Sequence, residues 1–310
     1  MKDRLITVIG GGGFLGRYVV QALLRAGARV RVAERDPRRA FYLKPLGGLG
    51  QTQFVAADVT RPDTIARAIE GADAAVNLVG SFTGNLQRIH VGGAQAVGEA
   101  AAKAGAGAVV HVSAIGADPE AASVYGRTKS EGEAAVRAAF PTATILRPST
   151  VFGREDQFLN RFAEMIARFP MVPVLRPQVR FQPVFAADVG DAVAAALADP
   201  ETHGGKIYEL AGPDVVTMLE LHRWLAQTIG RDPSFVELPD AAGALLAALP
   251  LSPISGDQWK MLGRDAVAAP GSAGLDALGI APTPLSAVAP AWLVRFRRAG
   301  RFGARTAVQG

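Results

Sequence analysis

The sequence predicts an α/β protein built on a doubly wound parallel sheet, with a smaller interleaved C-terminal α/β region. Three observations carry that expectation. A short apolar strand, Leu5 to Ile9, runs into Gly10-Gly11-Gly12-Gly13-Phe14-Leu15-Gly16 and then into a helical period. Short apolar runs alternate with longer helical periods as far as residue 148, the pattern of βαβ units. Beyond Arg147-Pro148 the texture changes to shorter, proline-spaced elements. Strand, glycines and helix in that order form the Rossmann-type turn, in which backbone amides approach a pyrophosphate at a helix N-terminus. The spacing here is Gly10-x-x-Gly13-x-x-Gly16, one residue longer in its first step than the Gly-x-Gly-x-x-Gly form.

The expected strands are Leu5 to Ile9, Val30 to Ala33, Gln53 to Ala56, Ala74 to Val79, Ala108 to Val112 and Ala143 to Leu146, each a run of β-branched or small apolar residues. Helical periods occupy Phe14 to Ala26, Asp63 to Glu70, His90 to Ala104 and Tyr125 to Ala139, with Gly27, Gly71 and Gly105 where helices should stop. After residue 150 the sequence predicts a helix from Phe158 to Arg168, a strand near Phe181 to Phe185 and a helix from Ala187 to Ala198. A strand at Lys206 to Leu210 and a helix capped by Thr217 and running to Ile229 follow. The expected division is a dinucleotide-binding domain at 1–150, a smaller region at 151–288 and a basic tail at 289–310.

Composition narrows the chemistry. The chain has 310 residues, half of them apolar, and no cysteine, which excludes disulfides, thiolate zinc sites and a cysteine nucleophile and suits a reducing compartment. Its four histidines, His90, His111, His203 and His222, have no paired ligand spacing, so no metal site is expected. There is no secretory leader and no long uncharged apolar run. The net charge of +5 resides in the tail: after Asp276 no acidic residue occurs, while Arg295, Arg297, Arg298, Arg301 and Arg305 add five positive charges.

Candidate binding residues cluster at strand ends. Glu34-Arg35-Asp36, followed by Arg38 and Arg39, ends the second strand; a carboxylate there binds the ribose hydroxyls of NAD, and an arginine pairs with the 2′-phosphate of NADP. The three arginines favour NADP(H) over NAD(H), with a solvated charged turn as the alternative. Asp58-Val59 is placed at the adenine edge, and Asn77 to Gly80, with Val79, beside pyrophosphate and ribose; ordinary strand-end packing is the other reading of both. Tyr125 and Lys129, four apart on a helix, share one face, where an ammonium beside a phenol favours the phenolate. Ser113 ends the preceding strand, and its hydroxyl is placed to orient a carbonyl. The candidate catalytic set is Tyr125, Lys129 and Ser113, in a site that is either active or vestigial. The cofactor-binding set is Gly10, Gly13, Phe14, Leu15, Gly16, Arg35, Arg38, Asp58, Val59, Asn77, Val79, Gly80, Ser113, Tyr125, Lys129, Pro148 and Thr150.

Gly10/Gly13/Gly16, Asp58, Ser113 and Tyr125/Lys129 together resemble the extended or atypical branch of the short-chain dehydrogenase/reductase superfamily. The run Leu146 to Asn160, with Phe152-Gly153-Arg154-Glu155-Asp156 at its centre, is similar to the dinucleotide-binding accessory subunits of respiratory complex I, as are Ser252-Pro253-Ile254-Ser255, Asp257-Gln258 and Leu278 to Leu285. That resemblance implies NADPH held near the quinone region of the complex, other complex I subunits as partners, and a structural role more than turnover. A chain that starts at its first strand fits a bacterial version, peripheral on the cytoplasmic face of the inner membrane.

Ala289 to Arg305 interleaves Trp292, Leu293, Val294, Phe296 and Phe302 with arginines, which predicts contact with an anionic lipid surface, against the alternative of a solvated end; nucleic acid is not expected. Leu245, Leu246, Leu249, Leu251 and Ile254 face lipid, a partner or the second region's own core. Two rival functions share the same cofactor residues. One is a free NAD(P)H-dependent reductase or epimerase in which Tyr125 is the general acid or base; the other is a nucleotide-sensing regulator of another protein.

Overall fold

A computed structural model describes residues 1–249 and 254–298. The chain forms two compact units. The first takes Met1–Ser149, Ala186–Ala211 and Ala268–Pro282, and the second takes the remainder, so the chain crosses between them five times.

The first unit is built on strands β1 (Leu5–Ile9), β2 (Arg29–Glu34), β3 (Thr52–Ala56), β4 (Ala74–Asn77), β5 (Ala108–Val112) and β6 (Thr144–Pro148). With β11 (Ile207–Leu210) they form a seven-stranded sheet in the order β11-β6-β5-β4-β1-β2-β3, every pair parallel. The sequence reading placed Lys206 to Leu210 in the second region. Instead Ile207 to Leu210 extends the main sheet beside β6, where Tyr208 and Leu210 are buried. The helices are α1 (Phe14–Arg25), α2 (Pro62–Ile69), α3 (Gly93–Lys103), α4 (Val124–Ala139), α6 (Ala186–Ala198) and α7 (Pro200–His203). Both sheet faces are covered, which is why β4 and β5 read as unbroken buried runs rather than alternating ones. The strand order reverses between β1 and β4, and in such sheets the ligand crevice lies there, outside the carboxyl ends of the strands.

Two local features depart from the periodic reading. The helix expected from His90 begins as a π-helical turn, Gln87–Gly92, before α3, and the segment after β2 forms a 3-10 helix, Pro37–Leu46, capped by the Asp36 side chain. The strand expected to reach Val79 stops at Asn77, whose side-chain Oδ1 takes the Val79 N–H at 3.1 Å and turns the chain.

The second unit contains β7 (Val151–Phe152), β8 (Met171–Leu175), β9 (Arg180–Phe181), β10 (Val184–Phe185), β12 (Val216–Thr217) and β13 (Ser234–Leu238), paired as β7-β10, β9-β12 and β8-β13. Its helices are α5 (Leu159–Arg168), α8 (Met218–Ile229), α9 (Asp240–Ala248), α10 (Gly256–Met261), α11 (Leu285–Val288) and α12 (Pro290–Leu293). Phe152, Leu159, Ile166, Leu221, Leu225 and Leu293 lie in its core. The Phe152 to Asp156 run serves this architecture. Asp156 Oδ1 accepts the N–H groups of Phe158 (2.8 Å) and Leu159 (2.6 Å), and Oδ2 accepts that of Gly153 (3.1 Å), closing the entry to α5.

Trp292 stacks on Phe185 at 6.3 Å, Leu293 is fully buried, and Phe296 packs on the same core. Arg297 donates from Nε and a terminal nitrogen to the Thr228 carbonyl at 3.1 and 2.9 Å, at the last turn of α8. Trp292, Leu293 and Phe296 thus supply core packing, and Arg297 caps a helix end. Arg301, Phe302 and Arg305 lie outside the described residues, as does Leu251. Leu245 on α9 and Leu249 just after it are exposed, and among the described residues no helix is long and apolar enough to cross a membrane.

Candidate functional site

The glycine turn joins β1 to α1 at the switch point. Gly10 has φ +80°, open to glycine at no steric cost, and a side chain there would press on Val79 Cγ2 at 3.3 Å. Gly16 lets α1 lie against the turn: a Cβ on it would stand 2.3 Å from the Gly11 carbonyl oxygen. Gly13 is the exposed N-cap of α1, with no side-chain capping bond and no acidic residue in the first turn, so the helix N-terminus is open to an anion. Phe14 and Leu15 are half-buried on the first turn. The turn and helix end fit a dinucleotide pyrophosphate in shape.

At the end of β2, Glu34 is turned into the cradle: its Oε1 accepts the Gly12 N–H at 2.7 Å. Arg35 is exposed beside it. Arg38, expected at the nucleotide, is clasped by the Asp36 carboxylate through Nε at 2.9 Å and a terminal nitrogen at 3.1 Å. Asp58 Oδ1 is occupied by its own turn, accepting the Thr60 N–H (2.9 Å) and hydroxyl (2.8 Å). Those bonds hold its carboxyl below the usual range. Val59 is a core residue, packed where a Cβ on Gly93 would strike it at 2.9 Å. Gly80 is exposed, Pro148 ends β6 with its carbonyl accepting the Ile115 N–H at 3.0 Å, and Thr150 is the first residue of the second unit.

Ser113, Tyr125 and Lys129 are brought to the β5 end of the crevice with two histidines. Ser123 caps α4 through the Gly126 N–H at 3.0 Å, and the helix then presents Lys129 inward, 2% exposed. Its Nζ donates to the Val112 carbonyl at 2.8 Å. Burial drops the ammonium to about 8, against the pull of Glu133. Tyr125 is half-buried, stacked on Phe82 (4.7 Å, 23° between planes) and edge-on to His90 at 5.3 Å. Desolvation pushes its phenol up to about 12. Helical spacing puts the two residues four apart on α4, and the ammonium reaches down to the strand backbone.

His90 fixes the loop over this site. Its Nε2 accepts the Ser81 N–H at 3.1 Å, so the ring proton sits on Nδ1 and goes to Thr128 Oγ1 at 2.8 Å; Thr128 in turn donates to the Tyr125 carbonyl at 3.2 Å. Burial, with the Lys129 charge, lowers His90 to about 4. His111 Nδ1 accepts from Asn77 Nδ2 at 3.1 Å, which leaves the proton on Nε2. That Nε2 and Ser113 Oγ, on the same face of β5, are buried and unpartnered among the described residues.

Sequence reasoning missed Phe82, His90 and His111; the histidines lack motif spacing and acquire their roles only from contacts with residues distant in sequence. No group of three or more histidine or carboxylate side chains among the described residues is arranged to hold a metal.

Residues 6–211 match the NAD dependent epimerase/dehydratase family. The chain is 33% identical over 293 residues to the mitochondrial NADH dehydrogenase (ubiquinone) 1 alpha subcomplex subunit 9 of Mus musculus, covering 90% of this chain and 77% of the relative. It is 34% identical over 255 residues to ceramide reductase of Caulobacter vibrioides, covering 79% of this chain and 78% of that protein. The crystal structure of an NADPH-dependent quinone oxidoreductase from Escherichia coli in complex with NADPH shares the fold, with a TM-score of 0.76 at 21% identity over 93% of this chain and 99% of that one.

Proposed function

The chain belongs to the NAD dependent epimerase/dehydratase family, and from that premise we propose that it is an NADP(H)-holding accessory subunit of a bacterial complex I, peripheral on the cytoplasmic face of the membrane. Homology runs both to the complex I subunit and to ceramide reductase. The observation that favours the first is the extent of the likeness, which covers 90% of this chain for the complex I subunit and 79% for ceramide reductase.

The residues that would hold the nucleotide are the Gly10 to Gly16 turn and the first turn of α1 for the pyrophosphate, Arg35 at the adenosine end, and Ser113 with Lys129 at the other. When bound, the nucleotide supplies negative charge to the α1 N-terminus and a redox-active ring to the β5 end. Binding to the folded state alone stabilises it by RT ln(1 + [L]/Kd), about 2.7 kcal/mol at a hundredfold excess over Kd. Solubilised native membranes, fractionated and read by mass spectrometry, should place the chain with complex I subunits; recovery only as free soluble protein overturns this reading.

A specific observation supports a second reading as a reductase. Buried Ser113 Oγ and the His111 Nε2–H, both unpartnered among the described residues, stand at the same strand end as Tyr125. They are suited to orient a carbonyl oxygen while the Tyr125 hydroxyl donates its proton to the forming alkoxide. Reduced-nucleotide consumption with a ceramide-class substrate, lost in Tyr125→Phe, would favour that reading over the first.

A further inference from the structure

Lys129 carries a positive charge into a place where charge is costly. The side chain is buried, its Nζ donates to the Val112 carbonyl at 2.8 Å, and burial lowers its ammonium to about 8. The groups that face it are unequal. His111 on β5 and His90 on the π-helical turn are pushed down by burial and stay neutral at pH 7, and the Tyr125 phenol, one turn back on α4, is pushed up to about 12. None of these three offers a counter-charge. Glu133, four residues further along α4, does offer one, and its pull opposes the effect of burial.

Glu133 is itself buried, where an unpaired carboxylate would be costly in its turn. Arg147 on β6 clasps it at two points, Nε to Oε1 at 2.9 Å and a terminal nitrogen to Oε2 at 2.7 Å. Behind the guanidinium stands Glu209 of β11 at 3.7 Å, anchored by the Ala269 N–H at 2.7 Å. Gly132 brings α4 directly onto the π-helical turn, for a Cβ there would meet the His90 carbonyl at 2.7 Å. Lys129, Glu133, Arg147 and Glu209 thus form a row of alternating charge inside the first unit, running from the crevice to the edge strand of the sheet.

We propose that Glu133, held by Arg147, is a positioning residue for the nucleotide: it supplies the counter-charge that keeps the buried Lys129 ammonium charged, and so keeps the ribose end of the dinucleotide bound. This rests on the dinucleotide site proposed above, with Lys129 at its β5 end, and gives the residues behind that lysine a part in nucleotide affinity. A charged ammonium donates strongly to ribose oxygens and the neutral amine weakly, so binding follows the lysine's proton.

The test is calorimetric titration of the purified full chain with NADPH between pH 6.5 and 9.5, a range in which neither buried histidine nor Tyr125 titrates. Wild type is compared with Glu133→Gln, Glu133→Asp, Glu209→Gln and Lys129→Arg, with thermal melts to verify folding. Wild type should hold its affinity to about pH 7.5 and lose about tenfold by pH 9.5. Glu133→Gln should move the midpoint of that loss down by about one pH unit, so that it binds about threefold more weakly than wild type at pH 8 and within about twofold of it at pH 6.5. Glu133→Asp, which keeps a carboxylate for Arg147, should fall between the two and serves if the glutamine variant does not fold. Glu209→Gln, which meets Lys129 only through the pair, should leave the midpoint in place, and Lys129→Arg, charged throughout, should flatten the profile. A Glu133 variant weakened equally at every pH, a flat wild-type profile, or a loss that Lys129→Arg does not remove overturns the proposal and leaves the dinucleotide site standing. No binding of NADPH by folded wild type at pH 7 overturns the site itself.

Discussion

Acidification from pH 7 to 5 should destabilise the first unit through His90 and loosen the loop over Tyr125. The folded imidazole titrates near 4 against 6.5 in the unfolded chain, because burial and the Lys129 charge oppose protonation. A group whose folded pKa is depressed contributes stability that is present above the unfolded pKa and lost as pH falls toward the folded one, so the window here is 6.5 down to 4. Integrated from pH 7 to 5, the loss for this ring alone is about 2 kcal/mol. His111 and His222, also lowered by burial, add in the same direction, whereas the depressed carboxylates act mainly below about pH 5. Protonation also removes the Nε2 lone pair that accepts the Ser81 N–H, releasing the segment that stacks Phe82 on Tyr125. Urea denaturation followed by circular dichroism at pH 7 and 5, on wild type and His90→Gln, isolates the effect. The glutamine keeps an acceptor but does not titrate, so its loss between the two pH values should be smaller by about 2 kcal/mol. Identical losses in both proteins would refute the assigned tautomer and burial.

Gly16→Ala should cost at least about 1–3 kcal/mol, since its Cβ would stand 2.3 Å from the Gly11 carbonyl and the helix must back away. Gly13→Ala, with no atom nearer than the Gly10 carbonyl at 3.3 Å, should fold with a near-normal melting temperature yet bind nucleotide poorly, as measured by titration. Asp156→Ala should destabilise the second unit by about 1–3 kcal/mol in chemical denaturation, because it strips acceptors from the N–H groups entering α5. Tyr125→Phe should retain nucleotide affinity within about threefold and leave respiratory NADH oxidation by membranes unchanged, since a structural role needs the ring stacked on Phe82 and not its hydroxyl.

The glycine turn and the first six strands were legible because each depends on local pattern: a strand, a turn that needs φ above zero, a helix of apolar period. β11 was harder, since Ile207 to Leu210 reads the same whether it pairs with β6 or with strands of the second region; only long-range pairing decides. The packing of the 289–297 segment was hidden for a related reason: Trp292 against Phe185 and Arg297 against Thr228 are long-range contacts that no local pattern of aromatics and arginines shows. At the site, helical spacing joined Tyr125 to Lys129 correctly in register, yet could not foresee that the ammonium would be captured by the Val112 carbonyl. His90 and His111 were invisible as functional residues because their partners, Thr128 and Asn77, lie 38 and 34 positions away.

The central claim is that this chain keeps a phosphorylated dinucleotide on the Gly10 to Gly16 turn. Purifying the protein from its native cells without added nucleotide, denaturing it and identifying what is released by chromatography and mass spectrometry tests this most directly. The expected result is close to one NADP(H) per chain; release of NAD(H) alone, or of no dinucleotide from protein that also fails to bind NADPH on titration, would contradict it.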